Sequence, residues 1–305
     1  MLGCVGNSFV ENAGPGLAAA GASWATIKFL GRFKIPGGTA KLVAEASDIY
    51  ADSEMIVKVK EPQTEEVAML RPGQVLFTYL HLAADHGQAR GLLASGAVCI
   101  AYETVTSDGG GLPLLAPMSE IAGRIAVQAA ASHLELSRGG AGLLLGGVAG
   151  VPAGHVVILG AGMVGTNAMQ MAIGLGARVT MLDVNVDRLR WLDTIHGNRL
   201  STVYASSSAI EQSVLDADVV IGAVLLPGAV TPKLVSRELV AHMRKGSVAV
   251  DVAIDQGGCF QSSHATTHEN PTYVFGGVVH YCVANMPGVV ARTSSFALNN
   301  ATLPH

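Results

Sequence analysis

The residues whose types and spacing most plainly imply chemistry lie in 155–183, HVVILGAGMVGTNAMQMAIGLGARVTMLD. A β-branched run, His155 to Leu159, ends at Gly160-Ala161-Gly162-Met163-Val164-Gly165. An amphipathic stretch follows, then a second apolar run from Arg178 to Leu182 that ends at Asp183. In this pattern Gly160 permits the tight turn out of a strand, Gly162 lets main chain approach a pyrophosphate, and Gly165 lets a helix pack on the sheet. Free N–H groups at the helix start face the anion. Asp183 falls where a ribose-binding acid belongs, and a carboxylate there repels a 2′-phosphate, so the pattern predicts NAD rather than NADP. A glycine-rich packing turn is the plain alternative. Strand, turn, helix, strand and terminal acid in that order favour the dinucleotide.

The elements that must position such a site follow from periodicity. Leu42–Ala51 reads as a helix, Met55–Val59 as a strand ending at Lys60-Glu61-Pro62, and Val75–Tyr79 as a strand ending at His81. Gln88–Ser95 reads as a short helix and Val98–Tyr102 as a strand ending at Glu103. Strands alternating with helices imply a parallel sheet. A long helix, Ser119–Leu136, carries Ile121, Ala122, Ile125, Ala129 and Ala130 at helical spacing and is ended by Gly139-Gly140; it reads as the connector between lobes. The second lobe runs through strands at Val156, Val179, Val203, Val219–Gly222, Val248–Ala253 and Val278–Cys282, and a short helix at Ser294–Asn300 follows it in the C-terminal segment. The expected fold class is α/β: two Rossmann-like lobes with mostly parallel sheets, joined by a long helix. The expected domains are a substrate lobe over 1–114, a dinucleotide lobe over 115–291, and a segment over 292–305 that starts back toward the first lobe. Residues 1–40 show no sustained period.

Composition narrows the function classes. A chain of 305 residues favours two lobes. The net charge of −4 and the lack of a basic patch argue against nucleic acid as partner. Charged residues make up only 14%, against roughly 25% in average proteins. With 50% apolar residues and a mean hydropathy of +0.41, this predicts surface buried against other subunits. Cys4, Cys99, Cys259 and Cys282 form no disulfide framework, and no basic segment leads into an apolar core at the N-terminus, so a cytoplasmic protein is expected. Gly139–Ala177 lacks Asp, Glu, Lys and Arg, but glycines and Pro152 break it, so a buried strand and helix are expected rather than a membrane span. His264 and His268, near Cys259 and Cys282 in sequence, read as loop histidines and not as a zinc site, and no metal is expected.

From about Leu42 to Pro304 the chain closely resembles bacterial alanine dehydrogenases. The stretches that carry the resemblance are IVKVKEP (56–62), LRPGQVLFTYLHLAAD (70–85), AYETV (101–105), LPLLAPMSEIAGR (112–124), GAVLLPGA (222–229), VDVAIDQGGC (250–259), HYCVANMPG (280–288) and ALNNATLP (297–304). The transhydrogenase NAD subunit and saccharopine dehydrogenase share the architecture but fewer of these strings. The resemblance implies reversible oxidation of L-alanine with NAD and water to pyruvate and ammonia, usually in a homohexamer. It implies that His81 is the acid/base histidine, that Lys60 holds the substrate carboxylate or carbonyl oxygen, and that Asp255 is the catalytic aspartate. Cofactor contacts are implied for Ser119, Asp183, Arg188, Val224 and Leu225, for Val252, Ala253, Ile254 and Asp255, and for Val283, Ala284, Asn285 and Met286. Arg188 stands where relatives often carry lysine, and His264 where they often carry arginine. Residues 1–40 do not read like the family's first lobe, whose arginine clamps the substrate carboxylate, and relatives continue past the position of Pro304. A catalytically impaired NAD-binding remnant, or a transhydrogenase-type hydride exchanger, are therefore the alternative functions.

Oxidising an amine needs a neutral nitrogen, a base to activate water at the resulting iminium, and a cation beside the developing oxygen charge. His81 has the intrinsic pKa for the proton steps and Lys60 carries the fixed charge. Each candidate has a plainer reading. His81 could cap a strand, Ser119 could cap a helix, and Asp183 could be a surface turn acid. Lys58 shares a strand face with Lys60. Alternation puts Asp251 on one face with Asp255, of which the terminal one is expected to be better exposed.

Overall fold

A computed structural model describes residues 2–4, 34–35, 38–39, 43–83, 85–224 and 231–304, the first three spans through their main chain alone. The chain divides into two compact units, Met1–Leu115 with Ala291–His305, and Ala116–Val290.

In the first unit the chain runs through β1 (Leu2–Cys4), β2 (Lys34–Ile35), β3 (Gly38–Thr39), α1 (Ala46–Asp52), β4 (Met55–Val57), α2 (Thr64–Met69), β5 (Val75–Thr78), α3 (His86–Ser95) and β6 (Val98–Ala101). The strands β1-β4-β5-β6 form a parallel sheet in that order, and β2 and β3 pair antiparallel. Ile56 and Leu76 point from β4 and β5 into a core closed by Tyr50, Leu70, Leu80 and Leu92. Helix α3 starts at Asp85, whose carboxylate accepts the Gln88 N–H at 2.9 Å. Strands β4, β5 and β6 are shorter than the periodicity predicts; β4 and β5 give way to irregular chain at their C-terminal ends and β6 to a 3-10 turn, Tyr102–Thr104. Those ends carry the candidate residues.

The second unit contains α4 (Ala116–His133), β7 (His155–Leu159), α5 (Met163–Gly174), β8 (Arg178–Asp183), α6 (Val186–His196), β9 (Ser201–Tyr204), α7 (Ser207–Asp216), β10 (Val219–Gly222), α8 (Arg237–His242), β11 (Val248–Asp251), β12 (Thr272–Phe275) and β13 (Val278–Tyr281). Its sheet has the order β12-β13-β11-β10-β7-β8-β9, parallel throughout except for the β12–β13 edge pair. From β7 the chain winds outward to β8 and β9, then crosses back to β10. The order therefore reverses between β7 and β10, where open α/β sheets bind ligands. Strands β7, β10, β11 and β13 are buried at every position, as both faces of a covered parallel sheet must be. The charge-free stretch becomes loop, β7 and α5, and no described helix is long and apolar enough to cross a membrane.

Two helices differ in detail from what the sequence predicts. The long helix, expected as the connector between lobes, is the first packed element of the second unit. A Cβ on its Gly123 would stand 2.2 Å from the Val164 carbonyl oxygen, so α4 lies hard against the first turn of α5. It also ends earlier, at His133, and a separate 3-10 turn, Leu136–Arg138, leads to Gly139. A further helix, α9 (Ala291–Thr302), belongs to the first unit and is longer at both ends than the expected Ser294–Asn300.

Candidate functional site

In the first unit three adjacent parallel strands deliver the candidates at their C-terminal ends: Lys60 and Glu61 after β4, His81 after β5, and Glu103 after β6. The Thr78 hydroxyl donates to the Lys60 carbonyl at 2.9 Å and ties the first two loops together. His81 adopts φ 46°, in the left-handed region. That conformation is held by Glu103, whose carboxylate accepts the main-chain N–H of His81 at 2.6 Å and of Leu80 at 3.1 Å. The imidazole stacks on Tyr79 with ring centres 5.7 Å apart, and Tyr79 is anchored by donating to the Leu114 carbonyl at 2.5 Å. On its free side His81 Nδ1 pairs with the Glu61 carboxylate, which also pairs with Lys60 at 3.4 Å.

These contacts set the protonation states. Burial of His81 favours its neutral form, but the Glu61 hydrogen bond and the charges of Glu61 and Glu103 outweigh burial and the charge of Lys60. The net effect raises the pKa above 6.5. Burial would likewise raise Glu61. The hydrogen bond from His81, the Lys60 charge and a backbone N–H reverse this and hold it at about 2. The two lysines separate cleanly. Lys58 is buried at 7% exposure and pairs with Glu66 at 1%, whereas Lys60 is 37% exposed beside Glu61 and His81.

In the second unit the glycine turn follows β7 at the reversal of strand order. Gly160 has φ 104°, and a Cβ there would meet the Ala223 carbonyl oxygen at 2.8 Å and the Val224 side chain at 3.0 Å. A Cβ on Gly165 would stand 1.8 Å from the Gly160 carbonyl oxygen. At Gly162 a Cβ would meet nothing within 4 Å: this residue opens on free space at the start of α5, whose first N–H groups have no partner inside the helix. Asp183 grips the turn by accepting the Ala161 N–H at 2.6 Å and also accepts the Asn185 N–H at 2.8 Å. Arg188 grips it from the other side, donating to the Ala161 carbonyl at 3.0 Å and the Thr166 hydroxyl at 2.8 Å, with its guanidinium over Trp191. The glycine cradle, the helix start and the carboxylate at the strand end fit a dinucleotide: main chain for the pyrophosphate, Asp183 for the ribose.

Other candidates fall nearby or inside. Ser119 is not a helix cap: it lies within the first turns of α4, one turn before Gly123 and on the same face. Val224 sits beside Gly160, and Leu225 lies outside the described residues. Strand β11 ends at Asp251, so Asp255 does not share its alternation but sits exposed in a 3-10 turn, Ile254–Gln256. Asp251 is fully buried and accepts the N–H groups of Cys259 and Phe260 and the Ser263 hydroxyl, which fixes the following loop. Asp255 accepts the Asn285 N–H at 3.3 Å, which brings two candidate segments together. Asn285 is left-handed, φ 55°, and its carbonyl is within 3.1 Å of His268 Nε2. Ile254, Val283 and Met286 are buried, whereas Val252 and Ala284 are half-buried. Among the described residues no cluster of His, Cys, Asp and Glu has the form of a metal site. Glu61 and Glu103 escape the sequence reading, although both sit at strand ends in the strings KVKEP and AYE.

A parallel sheet with a glycine turn at its switch point, and a second parallel sheet with a lysine and an ion-paired histidine at its strand ends, define a dinucleotide-binding α/β protein of two units. The alanine dehydrogenase/PNT N-terminal domain family matches residues 38–122 and its C-terminal domain family matches residues 126–305; the chain belongs to this family. It is 60% identical over 265 residues to an alanine dehydrogenase of Halomonas elongata, covering 87% of this chain and 71% of that one. A solved L-alanine dehydrogenase structure superposes with a TM-score of 0.80 at 53% identity, covering 87% of this chain and 73% of that one. The transhydrogenase of Sinorhizobium meliloti shares the fold at 24% identity and a TM-score of 0.71, covering 84% and 75%.

Proposed function

We propose that the protein is an NAD-dependent oxidoreductase that reversibly deaminates L-alanine to pyruvate and ammonia. The observation that carries this reading is the 60% identity over 265 residues to an alanine dehydrogenase. Bound NAD supplies the acceptor for the hydrogen and electron pair leaving the substrate Cα. Gly160, Gly162 and Gly165 admit its pyrophosphate, and Asp183 accepts from its ribose. Arg188, which also braces the turn, and Ser119 are further cofactor contacts, with Val224, Leu225, Val252–Asp255 and Val283–Met286 as the remaining ones. Lys60 holds the substrate carboxylate or carbonyl oxygen with its ammonium group. His81 takes a proton from the substrate nitrogen or the attacking water and returns it in the reverse direction. Asp255, with an exposed carboxylate, accepts hydrogen bonds from the nitrogen as it becomes ammonia. The small share of charged residues supports assembly of identical subunits, for which we propose a hexamer, and the sparse cysteines support a cytoplasmic location.

NADH fluorescence with the purified protein, followed by absorbance at the NADH band on adding pyruvate and ammonium, tests the reading. We expect NADH binding, ammonium-dependent oxidation of NADH, and loss of turnover but not of binding in His81→Ala. Binding without turnover would identify a non-catalytic NAD-binding protein instead, and hydride exchange without ammonium a transhydrogenase.

A further inference from the structure

We propose that Glu61 is a positioning residue for His81: its carboxylate holds the proton on Nδ1 and leaves Nε2 as the nitrogen that exchanges protons with substrate. The inference rests on the reading of His81 as the acid/base group and goes beyond it by assigning the atom and the residue that sets it. The groups facing the ring are Glu61, Glu103, Lys60 and the stacked ring of Tyr79. Of these, only Glu61 bonds a ring nitrogen. An ionised carboxylate can accept a hydrogen bond but not donate one, so the Nδ1 it touches must carry the proton. Glu61 is held at about 2 and is therefore ionised at any pH at which the protein would work. Neutral His81 is then the Nδ1–H tautomer, with its lone pair on Nε2, and the cation differs from it by one proton on Nε2 alone. Glu103 completes the arrangement from the main chain. By holding the N–H groups of Leu80 and His81 it fixes the left-handed turn, and so the direction in which the ring leaves the strand. Glu61 also neutralises part of the Lys60 charge, which would otherwise disfavour the imidazolium form.

The test reads His81 directly, without substrate or cofactor. Peptide-level mass spectrometry follows its carbethoxylation by diethyl pyrocarbonate in the full-length protein across pH 5–9, a range set by the ordinary histidine pKa of about 6.5. The wild-type midpoint is expected above the ordinary value, with a downward shift of about 1 unit in Glu61→Gln, as befits loss of an adjacent opposite charge. Glu61→Asp, which keeps the charge, restores most of the shift. In turnover, Glu61→Gln is expected to lower kcat by about 10- to 100-fold, less than the roughly 10²- to 10⁴-fold that a general acid–base group itself contributes, because Glu61 acts through His81. In a His81→Asn background it should lose nothing further, because residues acting as one unit are not additive. A wild-type midpoint at or below the ordinary value, an unshifted midpoint in Glu61→Gln, or additive losses in the double variant would each overturn the proposal. Turnover that survives His81→Asn would instead remove the acid/base reading while leaving the Glu61–His81 linkage intact.

Discussion

The glycine turn offers a sharp perturbation, because its glycines differ in what a single methyl group would meet. At Gly165 an added Cβ stands 1.8 Å from the Gly160 carbonyl oxygen and 3.3 Å from the Ile158 side chain, so α5 must move away from the end of β7. Overpacking of this kind costs about 1–3 kcal/mol, and the backbone partner puts Gly165→Ala at the upper end of that range. In a unit of this size each kcal/mol lowers the melting midpoint by roughly 2–4 °C, so a fall of about 6–12 °C is expected. At Gly162 the Cβ meets nothing within 4 Å and the residue sits at φ −70°, open to alanine. The lost N-cap preference and the gain from a stiffer unfolded chain are each about 0.4–1 kcal/mol and opposite in sign, so the melting midpoint should hardly move. The same methyl, however, fills the space through which a pyrophosphate must approach the helix start. Losing charged hydrogen bonds there costs about 1.5–3 kcal/mol, a weakening of NADH binding by about 10- to 150-fold. Differential scanning fluorimetry and NADH fluorescence titration on both variants read the two effects separately. A Gly162→Ala protein that binds NADH like the wild type, or a Gly165→Ala protein that melts like it, would refute the assignment of those two roles.

Other perturbations follow from the same contacts. Asp183→Ala should weaken NADH binding by about 1–3 kcal/mol in a fluorescence titration. Because it also frees the Ala161 N–H, a modest fall in melting temperature should accompany it. Lys58→Ala strands the Glu66 carboxylate in the interior and should cost about 3–5 kcal/mol of stability in denaturant unfolding. Lys60→Ala, from a partly exposed pair, should cost under about 1 kcal/mol yet abolish turnover. The Glu61–His81 pair also links stability to pH. Glu61 is lowered on folding, so its contribution is present above about 4.5 and is lost as pH falls toward about 2. His81 is raised, so its contribution is full below 6.5 and is lost as pH rises through the folded value. Glu61→Gln should therefore lower the melting temperature more at pH near 6 than at pH near 9, and should lose less on acidification than the wild type, by calorimetry.

How much of this was legible in the sequence depends on whether the governing interaction is local. Strand β7 and the glycine turn can be read off because a fully buried parallel strand must be apolar throughout, and the turn that follows needs glycine at fixed positions. Helix α2 escapes because six residues, TEEVAM, give no period to recognise, and β12 because the edge strand TYVF is antiparallel and only half-buried. The reading of Asp251 and Asp255 as one face fails for a physical reason. The strand stops at Asp251, and the chain turns at Ile254 before alternation can carry over. The site's partnerships are the least legible part. Nothing in KVKEP says that Glu61 turns toward a histidine twenty residues on, or in AYE that Glu103 takes that histidine's N–H. Those contacts exist because β4, β5 and β6 are neighbours, which is a property of the sheet and not of any one segment.

Backbone strain gives a pointer to the site that owes nothing to motif matching. Among the described residues, His81 and Asn285 are the non-glycine residues with positive φ. Histidine and asparagine tolerate that region better than most side chains, but each still costs about 1 kcal/mol and persists only where the surroundings over-determine it. In both cases the same device does so: the N–H of the strained residue is taken by a carboxylate, Glu103 for His81 and Asp255 for Asn285. Each residue is tied at a second point as well, His81 through its ring to Glu61 and Asn285 through its carbonyl to His268. A loop that only had to connect a strand to a helix would relax to an unstrained conformation, since nothing in packing rewards holding two carboxylates at its turns. Strain fixed this way, at the ends of β5 and β13, makes sense if the direction of these side chains matters more than the cost of holding them.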